Sequence, residues 1–283
     1  MLNKTNRFIK KPELHECHSA MSALNYVHAN GIATITLHNP PQNRLNNEMQ
    51  LKFKDAIADI AARDDTRAIY VKSEGPDFSH GADITPWPTL TKEQTHGLMA
   101  NGLRLSNAFA DLPVPIIVAV QGHCTGGGFE LALRSDIIIA ADNASFGHSE
   151  ATIGVFTFLG GVQRVAERVG RTRAMQWALT AELVDAQRAH EIGLINEVVP
   201  LGELESSARA WVDTLAGGAT LSHAAHKKLL RAWSTGGIQD ADELMPDMAA
   251  AIMHSEDARG SFKGAIEALK AGRPRPAYPF RGR

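Results

Sequence analysis

Short strand-like segments alternate with longer helix-like segments from Gly31 to about Leu215. The first strand is marked by Ala33, Ile35 and Leu37, which alternate with threonines at the period of two residues typical of a half-buried strand. Helices are marked by apolar residues three and four positions apart. This alternation predicts an α/β fold with a largely parallel sheet. The predicted strands are 33–37, 68–72, 116–120, 137–141 and 194–199, and the predicted helices are 49–60, 98–112 and 185–193.

The two ends of the chain differ from this middle part. Residues 1–20 are basic and polar, without the apolar stretch of a secretory signal. We therefore expect them to form a poorly ordered extension, and Met21 is a candidate translation start. After about Leu215 the strand pattern stops, and residues 216–283 are predicted to be helical. The predicted organisation is thus an extension, a core at 21–215 and a helical C-terminal region.

The composition argues against several classes of protein. With 283 residues and 44% hydrophobic content, the chain can bury one large core or one core with a smaller satellite. A net charge of −2 gives no basic excess that would favour nucleic acid binding, and no apolar run of about 18 residues is available to span a membrane. Two cysteines, Cys17 and Cys124, predict neither a disulfide framework nor a zinc site. A reducing, cytoplasmic setting fits this cysteine content best.

Two glycine-bearing turns can bring backbone donors together. Residues 115–134 predict a strand, a turn with three glycines at 126–128 and a helix, whose first N–H groups are free to bind a ligand. The turn lacks the lysine of a phosphate-binding P-loop. A second turn, at 78–84, follows the strand that ends near Lys72. Two N–H groups facing one carbonyl oxygen form an oxyanion hole, where each donor stabilises the transition state by about 3 kcal/mol.

Glu130 and Glu150 lie 20 residues apart, and each ends a glycine-bearing turn. Two carboxylates on separate rigid elements are suited to general acid–base catalysis. Glu130 could instead form a surface ion pair with Arg134, four residues later on the predicted helix. Glu150 could instead be a first-turn residue that faces the dipole of a helix. The nearby histidines lack the spacing of a metal site, so no metal is predicted.

Short motifs follow one another along the chain at Asn39-Pro40 with 43–46, 78–84, 119–122 running into 126–132, 135–137, 146–150, 160–164 and 189–195. In this order and spacing they resemble the crotonase, or enoyl-CoA hydratase/isomerase, superfamily over nearly the whole chain from Tyr26. The resemblance implies a spiral of ββα units followed by a helical C-terminal region. It also implies that this region packs in homotrimers, often paired into hexamers.

The resemblance further implies a chemistry for the turns and the glutamates. The backbone N–H groups of Ala82 and Gly127 would polarise the thioester carbonyl of an acyl-CoA. Glu130 would mainly activate a water that adds to C3, and Glu150 would deliver a proton to C2. The leading hypothesis is hydration of a trans-2-enoyl-CoA without a metal or redox cofactor. Coenzyme A would enter as part of the substrate.

Four further residues are predicted to bind the substrate. Arg44 lies close to where the superfamily binds the CoA nucleotide, so that its guanidinium group either meets a phosphate or is solvated. Asp83 and Ile84 continue the second turn, where Asp83 could also cap the helix that follows. Phe158 would narrow the pocket and limit the range of acyl groups.

Many hydratases of this superfamily carry Pro-Gly at 157–158, where this chain has threonine and phenylalanine. The larger ring fills a place where a small residue leaves room for substrate or water. Trp87 and Phe156 would either join it in an acyl pocket or belong to the core. Three alternatives therefore stay open for the site. They are double-bond isomerisation, carbon–carbon hydrolysis of a β-diketone assisted by His80 and His148, and a catalytically silent CoA-binding or assembly protein.

Overall fold

The computed structural model describes residues 22–283, so the predictions for 1–20 and for Met21 lie outside the described residues. This part of the chain forms nine strands and ten α-helices. The strands are β1 Leu24–Ala29, β2 Ile32–Leu37, β3 Ala68–Ser73, β4 Ile116–Val120, β5 His123–Thr125, β6 Ile137–Ala141, β7 Ser145–Gly147, β8 Val184–Asp185 and β9 Glu197–Val199. The helices are α1 Asn47–Ala61, α2 Lys92–Ala110, α3 Gly127–Ala132, α4 Gly161–Val169, α5 Arg171–Thr180, α6 Ala186–Glu191, α7 Leu204–Ala216, α8 Thr220–Gly236, α9 Ile238–Met253 and α10 Glu256–Lys270.

The larger of two sheets has six strands in the order β1-β2-β3-β4-β6-β9. Strands β1 and β2 form an antiparallel hairpin, and every other neighbouring pair in this sheet is parallel. The smaller sheet has the order β5-β7-β8, with a parallel pair and an antiparallel pair. The predicted α/β class and largely parallel sheet are therefore confirmed.

Most predicted strands coincide with observed ones, but the last is wrong in its first half. The strand predicted at 194–199 starts only at Glu197. The N–H of Leu194 instead donates to the carbonyl of Ala189 and closes the preceding helix, α6. That helix begins as expected, because the Asp185 side chain accepts a backbone hydrogen bond of 2.8 Å as its N-cap.

The two faces of the central strand β4 pack into two separate hydrophobic cores. Ile116, Val118 and Val120 pack into the larger core, on the side of α1 and α3. Ile117 and Ala119 point to the opposite face, where α7 covers a smaller core. All five side chains are buried. A strand that is covered on both faces must be apolar throughout, which explains the uninterrupted apolar run in the sequence.

The parallel strands direct several chain segments towards one region of the molecule. The loop after β3 leads into the turn at 78–84, α3 follows β4 and β5, and a 3-10 helix, Glu150–Ile153, follows β7. In α/β sheets, ligands bind in the crevice outside the carboxyl ends of the strands. The strand order therefore brings the two predicted turns and both glutamates to the usual place for a ligand site.

The helical C-terminal region is present as α8, α9 and α10. Helix α8 is joined to the core by Lys227, whose ammonium group donates to the Asp136 carboxylate at 2.6 Å and the Val114 carbonyl at 2.9 Å. The chain end returns to α10, where the Asp257 carboxylate accepts the backbone N–H groups of 281–283. Each helix within 22–283 is too short or too polar to cross a membrane.

Candidate active site

One cavity of about 630 Å³ brings together the residues that the leading hypothesis assigns to the site. Its walls come from the loop before α1 and the start of α1, the turn after β3, one side of α2, the start of α3, the 3-10 helix after β7 and the loop before α4. The arrangement unites segments that are more than 100 residues apart in the chain. The predicted site residues on its walls are Arg44, Ala82, Asp83, Ile84, Gly127, Glu130, Glu150 and Phe158.

Two backbone N–H groups lie next to each other in this cavity. A Cβ added at Gly127 would lie 3.4 Å from the nitrogen of Ala82. Leu45 pairs with both neighbours of Ala82, donating to the Gly81 carbonyl at 2.8 Å and accepting from Asp83 N–H at 3.1 Å. Neither Ala82 N–H nor Gly127 N–H has an acceptor within the described part of the chain. The pair is therefore free to bind an oxygen atom.

Positive φ angles set the direction of these donors. Gly126 adopts φ 53° and ψ −129°, and Gly81 adopts φ 90°, which residues with a Cβ rarely do. A Cβ at Gly81 would also lie 2.9 Å from the nitrogen of Gly127. The two turns can approach this closely only because both carry glycine.

Glu130 is buried at the wall of the cavity, with 3% of its surface exposed. Its Oε1 atom accepts hydrogen bonds from the N–H groups of Leu159 at 2.8 Å and Gly161 at 2.9 Å. Burial, and next the charge of Glu150, raise the pKa of Glu130 to about 7, although the two N–H donors and Arg134 oppose the shift. A carboxyl group with this pKa exchanges protons readily near neutral pH.

The alternative of a surface ion pair between Glu130 and Arg134 is wrong. Both side chains are buried. The Arg134 guanidinium group donates instead to the Asn107 side chain and the Leu159 carbonyl. Arg134 is thus a buried part of the structure around Glu130.

Glu150 is the first residue of its 3-10 helix, and its side chain is 9% exposed. Its Oε1 atom lies 3.5 Å from the position of a Cβ on Gly126, so the carboxyl group faces the glycine turn. The Oε2 atom has no hydrogen-bond partner among the described residues. Burial raises the pKa of Glu150 above its usual range. Glu150 thus holds the first-turn position that the helix-dipole alternative described, and it also lines the cavity.

The residues predicted to bind substrate line the cavity in different ways. Arg44 is half-buried and donates to Gln42 Oε1 at 2.8 Å and to the Ala82 carbonyl at 3.3 Å. Asp83 accepts from Thr85 N–H at 3.0 Å and Thr85 Oγ1 at 2.6 Å, and these bonds lower its pKa. Asp83 thus caps a turn, and Arg44 binds the carbonyl of Ala82, the residue whose N–H is one of the two free donors.

Three aromatic rings lie against one another beside the cavity. Trp87 and Phe158 both line it, with ring centroids 5.6 Å apart. Phe156 packs edge-on against Phe158 at 4.8 Å but is 72% exposed and lies outside the lining. For Phe156, neither the core nor the pocket alternative is right. Phe158 is half-buried on the cavity wall rather than in the core.

The histidines named with the β-diketone alternative lie in different environments. His80 lines the cavity and bonds to the Asp77 carboxylate at 3.0 Å. His148 is 1% exposed, lies outside the lining, and has no partner for either ring nitrogen among the described residues. Burial lowers the pKa of His148 to about 4. Residues 22–283 contain no group of three or more His, Cys, Asp or Glu arranged to hold a metal.

Sequence reasoning missed the groups that hold the Glu130 carboxylate. The donors at Leu159 and Gly161 are backbone atoms, so their residue types carry no direct signal. The signal that was present is the glycine itself: a Cβ at Gly161 would lie 2.6 Å from His148 Cε1 and 2.9 Å from Glu130 Cγ. Only glycine fits between these two side chains without displacing them.

Comparison with known proteins identifies the family. A family model described as enoyl-CoA hydratase/isomerase matches residues 28–272, most of the chain. The chain belongs to the enoyl-CoA hydratase/isomerase family, and the resemblance predicted from its motifs is confirmed.

Individual relatives agree with this assignment. The probable enoyl-CoA hydratase echA8 of Mycobacterium tuberculosis is 35% identical over 185 residues, which are 65% of this chain and 71% of that protein. The peroxisomal fatty acid beta-oxidation multifunctional protein AIM1 of Arabidopsis thaliana is 33% identical over 66% of this chain, and the match spans only 26% of that longer protein. A crystal structure of enoyl-CoA hydratase from Bacillus anthracis superposes with a TM-score of 0.83 and 25% identity, covering 92% of this chain and 100% of that one.

Proposed function

We propose that this protein adds water to the double bond of a trans-2-enoyl-CoA thioester. The observation that carries the proposal is the meeting of two free backbone donors and two buried carboxyl groups with raised pKa values in one cavity. Membership of the enoyl-CoA hydratase/isomerase family supports the same chemistry. Coenzyme A is part of the substrate, and the steps proposed below use only side chains and backbone groups of this chain.

The free N–H groups of Ala82 and Gly127 bind the thioester oxygen. They stabilise the negative charge that collects there when a nucleophile attacks C3, with each donor contributing about 3 kcal/mol to the transition state. Because both donors are backbone groups on rigid turns, they need no reorganisation during the reaction. C3 becomes electrophilic as a result.

The two carboxyl groups divide the proton transfers. Glu130 in its ionised form accepts a proton from the water whose oxygen adds to C3, and Glu150 in its protonated form gives its proton to C2 of the enolate. One water is consumed, and the double bond becomes a C–OH and a C–H bond. Burial and mutual repulsion favour this state with one proton shared between two carboxyl groups near neutral pH.

Double-bond isomerisation is the second candidate. It needs the same enolate and the same proton transfers but no added water. The position of Phe158 on the cavity wall favours it, because the ring takes up space that a water could otherwise use. Carbon–carbon hydrolysis assisted by His80 and His148 has weaker support. His80 lines the cavity, where it is bonded to the Asp77 carboxylate, but His148 lies outside the lining.

A panel of substrates followed by absorbance separates these functions. Hydration removes the conjugated absorbance of a trans-2-enoyl-CoA, whereas isomerisation creates it from a trans-3-enoyl-CoA. A β-diketone without CoA tests carbon–carbon hydrolysis. Loss of conjugation from trans-2-enoyl-CoA is the expected result. Tight binding of enoyl-CoA with no turnover of any substrate would overturn the proposal and leave a silent CoA-binding protein.

A further inference from the structure

The segment 159–161 is held from two sides. Its N–H groups at Leu159 and Gly161 donate to Glu130. Its carbonyl groups point the other way, where the Leu159 oxygen accepts from Arg134 and the Gly160 oxygen accepts from Arg164 at 3.1 Å. The Gly160–Gly161 peptide therefore donates to Glu130 and accepts from Arg164, and Arg134 binds the Leu159–Gly160 peptide that joins the two donors.

Asn107 on α2 connects the two arginines. Its Oδ1 atom accepts from Arg134 and, at 3.5 Å, from Arg164. Arg134 is only 3% exposed, which is unusual for arginine. Its two terminal nitrogens are hydrogen-bonded, whereas its Nε has no partner among the described residues. Helices α2 and α4 and the residue Arg134 after α3 thus share one partly buried polar network around the segment.

Arg134 lies one helical turn after Glu130 but forms no ion pair with it within the described structure. The direct pairing that this spacing allows is replaced by an indirect one, in which Leu159 bonds to both side chains. A guanidinium group presents several donors in a fixed plane, so it can orient a carbonyl more strictly than lysine can.

We propose that Arg134 is a positioning residue for Glu130, because its hold on the Leu159 carbonyl fixes the backbone donors that orient the Glu130 carboxylate. The inference rests on the proposed function of Glu130 in proton transfer. Loss of this hold lets the segment move, and the carboxylate loses both its orientation and its two N–H donors. A displacement of about 1 Å at a catalytic group can cost about 100-fold in rate.

The charged groups around Glu130 predict how removal of Arg134 would change the pKa of Glu130. Glu150 faces it across the cavity, Arg134 and Arg164 lie behind the segment, and the neutral His148 imidazole packs beside Gly161. Arg134 lowers the pKa of Glu130, and so do the two N–H donors. Removal of Arg134 should therefore raise the pKa of Glu130 in two ways: its positive charge is lost, and the two N–H donors are displaced.

The test compares Arg134→Met with Arg134→Lys. The pKa of Glu130 is followed by ¹³C NMR of glutamate-labelled protein, with Glu130→Gln used to assign the signal, and kcat and KM are measured on crotonyl-CoA across pH. Arg134→Met should raise the pKa of Glu130, move the acidic limb of the profile to higher pH and lower kcat by about 10- to 100-fold with little change in KM. Arg134→Lys keeps the charge and should recover part of the pKa but less of the rate.

Arg168 provides a matched control. It is a neighbouring arginine on α4 whose guanidinium group donates to the carbonyls of Leu133, Ser135 and Leu194 but not to the segment 159–161. Arg168→Met should lower the melting temperature without moving the pKa of Glu130.

An unchanged Glu130 titration in both Arg134 variants, with melting temperatures lowered as in Arg168→Met, would overturn the inference. If Arg134→Met does not fold, Arg134→Lys and Asn107→Leu decide the same question through the same titration. Because NMR needs no turnover, a protein that leaves every thioester unchanged would refute the proposed function while the role of Arg134 is still measured.

Discussion

Burial acts in opposite directions on the pKa values of Glu130 and His148. It raises that of Glu130 to about 7 and lowers that of His148 to about 4, because a low-dielectric environment favours the neutral form of each group. The two side chains are neighbours, because a Cβ on Gly161 would lie 2.6 Å from His148 Cε1 and 2.9 Å from Glu130 Cγ. Near neutral pH, the surroundings of Glu130 therefore contain an uncharged imidazole and a second carboxyl group that resists ionisation.

Substitution of either glutamate tests the division of proton transfer. Glu130→Gln and Glu150→Gln should each lower the rate of hydration by at least about 100-fold, because the amide keeps the shape but cannot exchange the proton. Steady-state rates on crotonyl-CoA provide the measurement. Glu167→Gln, at an exposed position on α4, is the control and should keep full activity. Full activity of Glu150→Gln would remove Glu150 from the mechanism.

His148 should make the folded protein sensitive to acid. Its pKa is about 4 when folded and about 6.5 when unfolded, so the unfolded chain binds more protons between these values. The free energy of unfolding should therefore fall as the pH falls through this window, by up to about 3 kcal/mol for this group.

Chemical denaturation of wild-type protein and His148→Gln across this pH range measures the effect. The opposite contribution of Glu130, which stabilises the fold as pH falls below about 7, is present in both proteins and largely cancels in the difference. The stability difference between the two should narrow or reverse towards acid pH. His123→Gln, at an exposed ring, should follow the wild-type curve. Parallel curves for His148→Gln and wild type would show that His148 does not titrate as expected.

The three consecutive glycines at the start of α3 have different structural roles. Gly126 provides a positive φ, and Gly127 provides the free N–H at the start of the helix. Gly128 allows close packing, because a Cβ there would lie 2.6 Å from Ser79 Cβ. A tight turn alone requires one or two such residues, so the third reflects the contact between the two turns that carry the donors.

Phe158, on the loop before α4, lies on the cavity wall, and we propose that it limits the acyl end of the cavity. Phe158→Gly should open room for longer or branched acyl chains and for a water between the glutamates. One altered apolar contact changes discrimination between substrates by about 1–3 kcal/mol, or about 10- to 200-fold. The ratio of rates on crotonyl-CoA and a longer enoyl-CoA measures the shift.

Thermal unfolding of the same variant tests the competing role in stability. A core phenylalanine would lose several kcal/mol on removal. Because Phe158 is half-buried on the cavity wall, we expect a small fall in melting temperature. Phe156→Gly removes the exposed ring beside it and serves as the control, with little change in the rate ratio. An unchanged rate ratio with a large loss of stability for Phe158→Gly would assign Phe158 to the core. The determinant of acyl-chain specificity would then be sought at Trp87.

The C-terminal helices expose much apolar surface within the single chain. Helices α8 and α9 contain no buried residue. Leu230, Trp233, Ile238 and Met253 are large apolar residues on them that remain exposed. Surfaces of this kind mark interfaces in soluble proteins. We expect this region, 216–283, to pack against neighbouring subunits in a homotrimer or a hexamer.

Light scattering at micromolar concentration measures this assembly directly. A mass of three or six chains is expected for the wild type. Trp233→Asp and Leu230→Asp should lower the mass, because each introduces a charge into an apolar contact. Lys228→Asp, at an exposed position on the same helix, should leave the mass unchanged. A monomeric wild-type protein would refute the expectation.

The strands at 33–37, 68–72, 116–120 and 137–141 could be recognised from the sequence because apolar periodicity directly reflects backbone geometry. Membership of the family could be recognised because its motifs occur in a fixed order. The environment of the site could not be recognised from the sequence, because it depends on groups that the fold brings together from distant parts of the chain. Arg134 has the spacing of a surface ion pair but is bound to Asn107, and Leu159, 29 residues after Glu130, supplies a hydrogen bond to that carboxylate. Burial and pKa are properties of the packed molecule, so only the tertiary structure decided which carboxyl groups are poised to exchange protons.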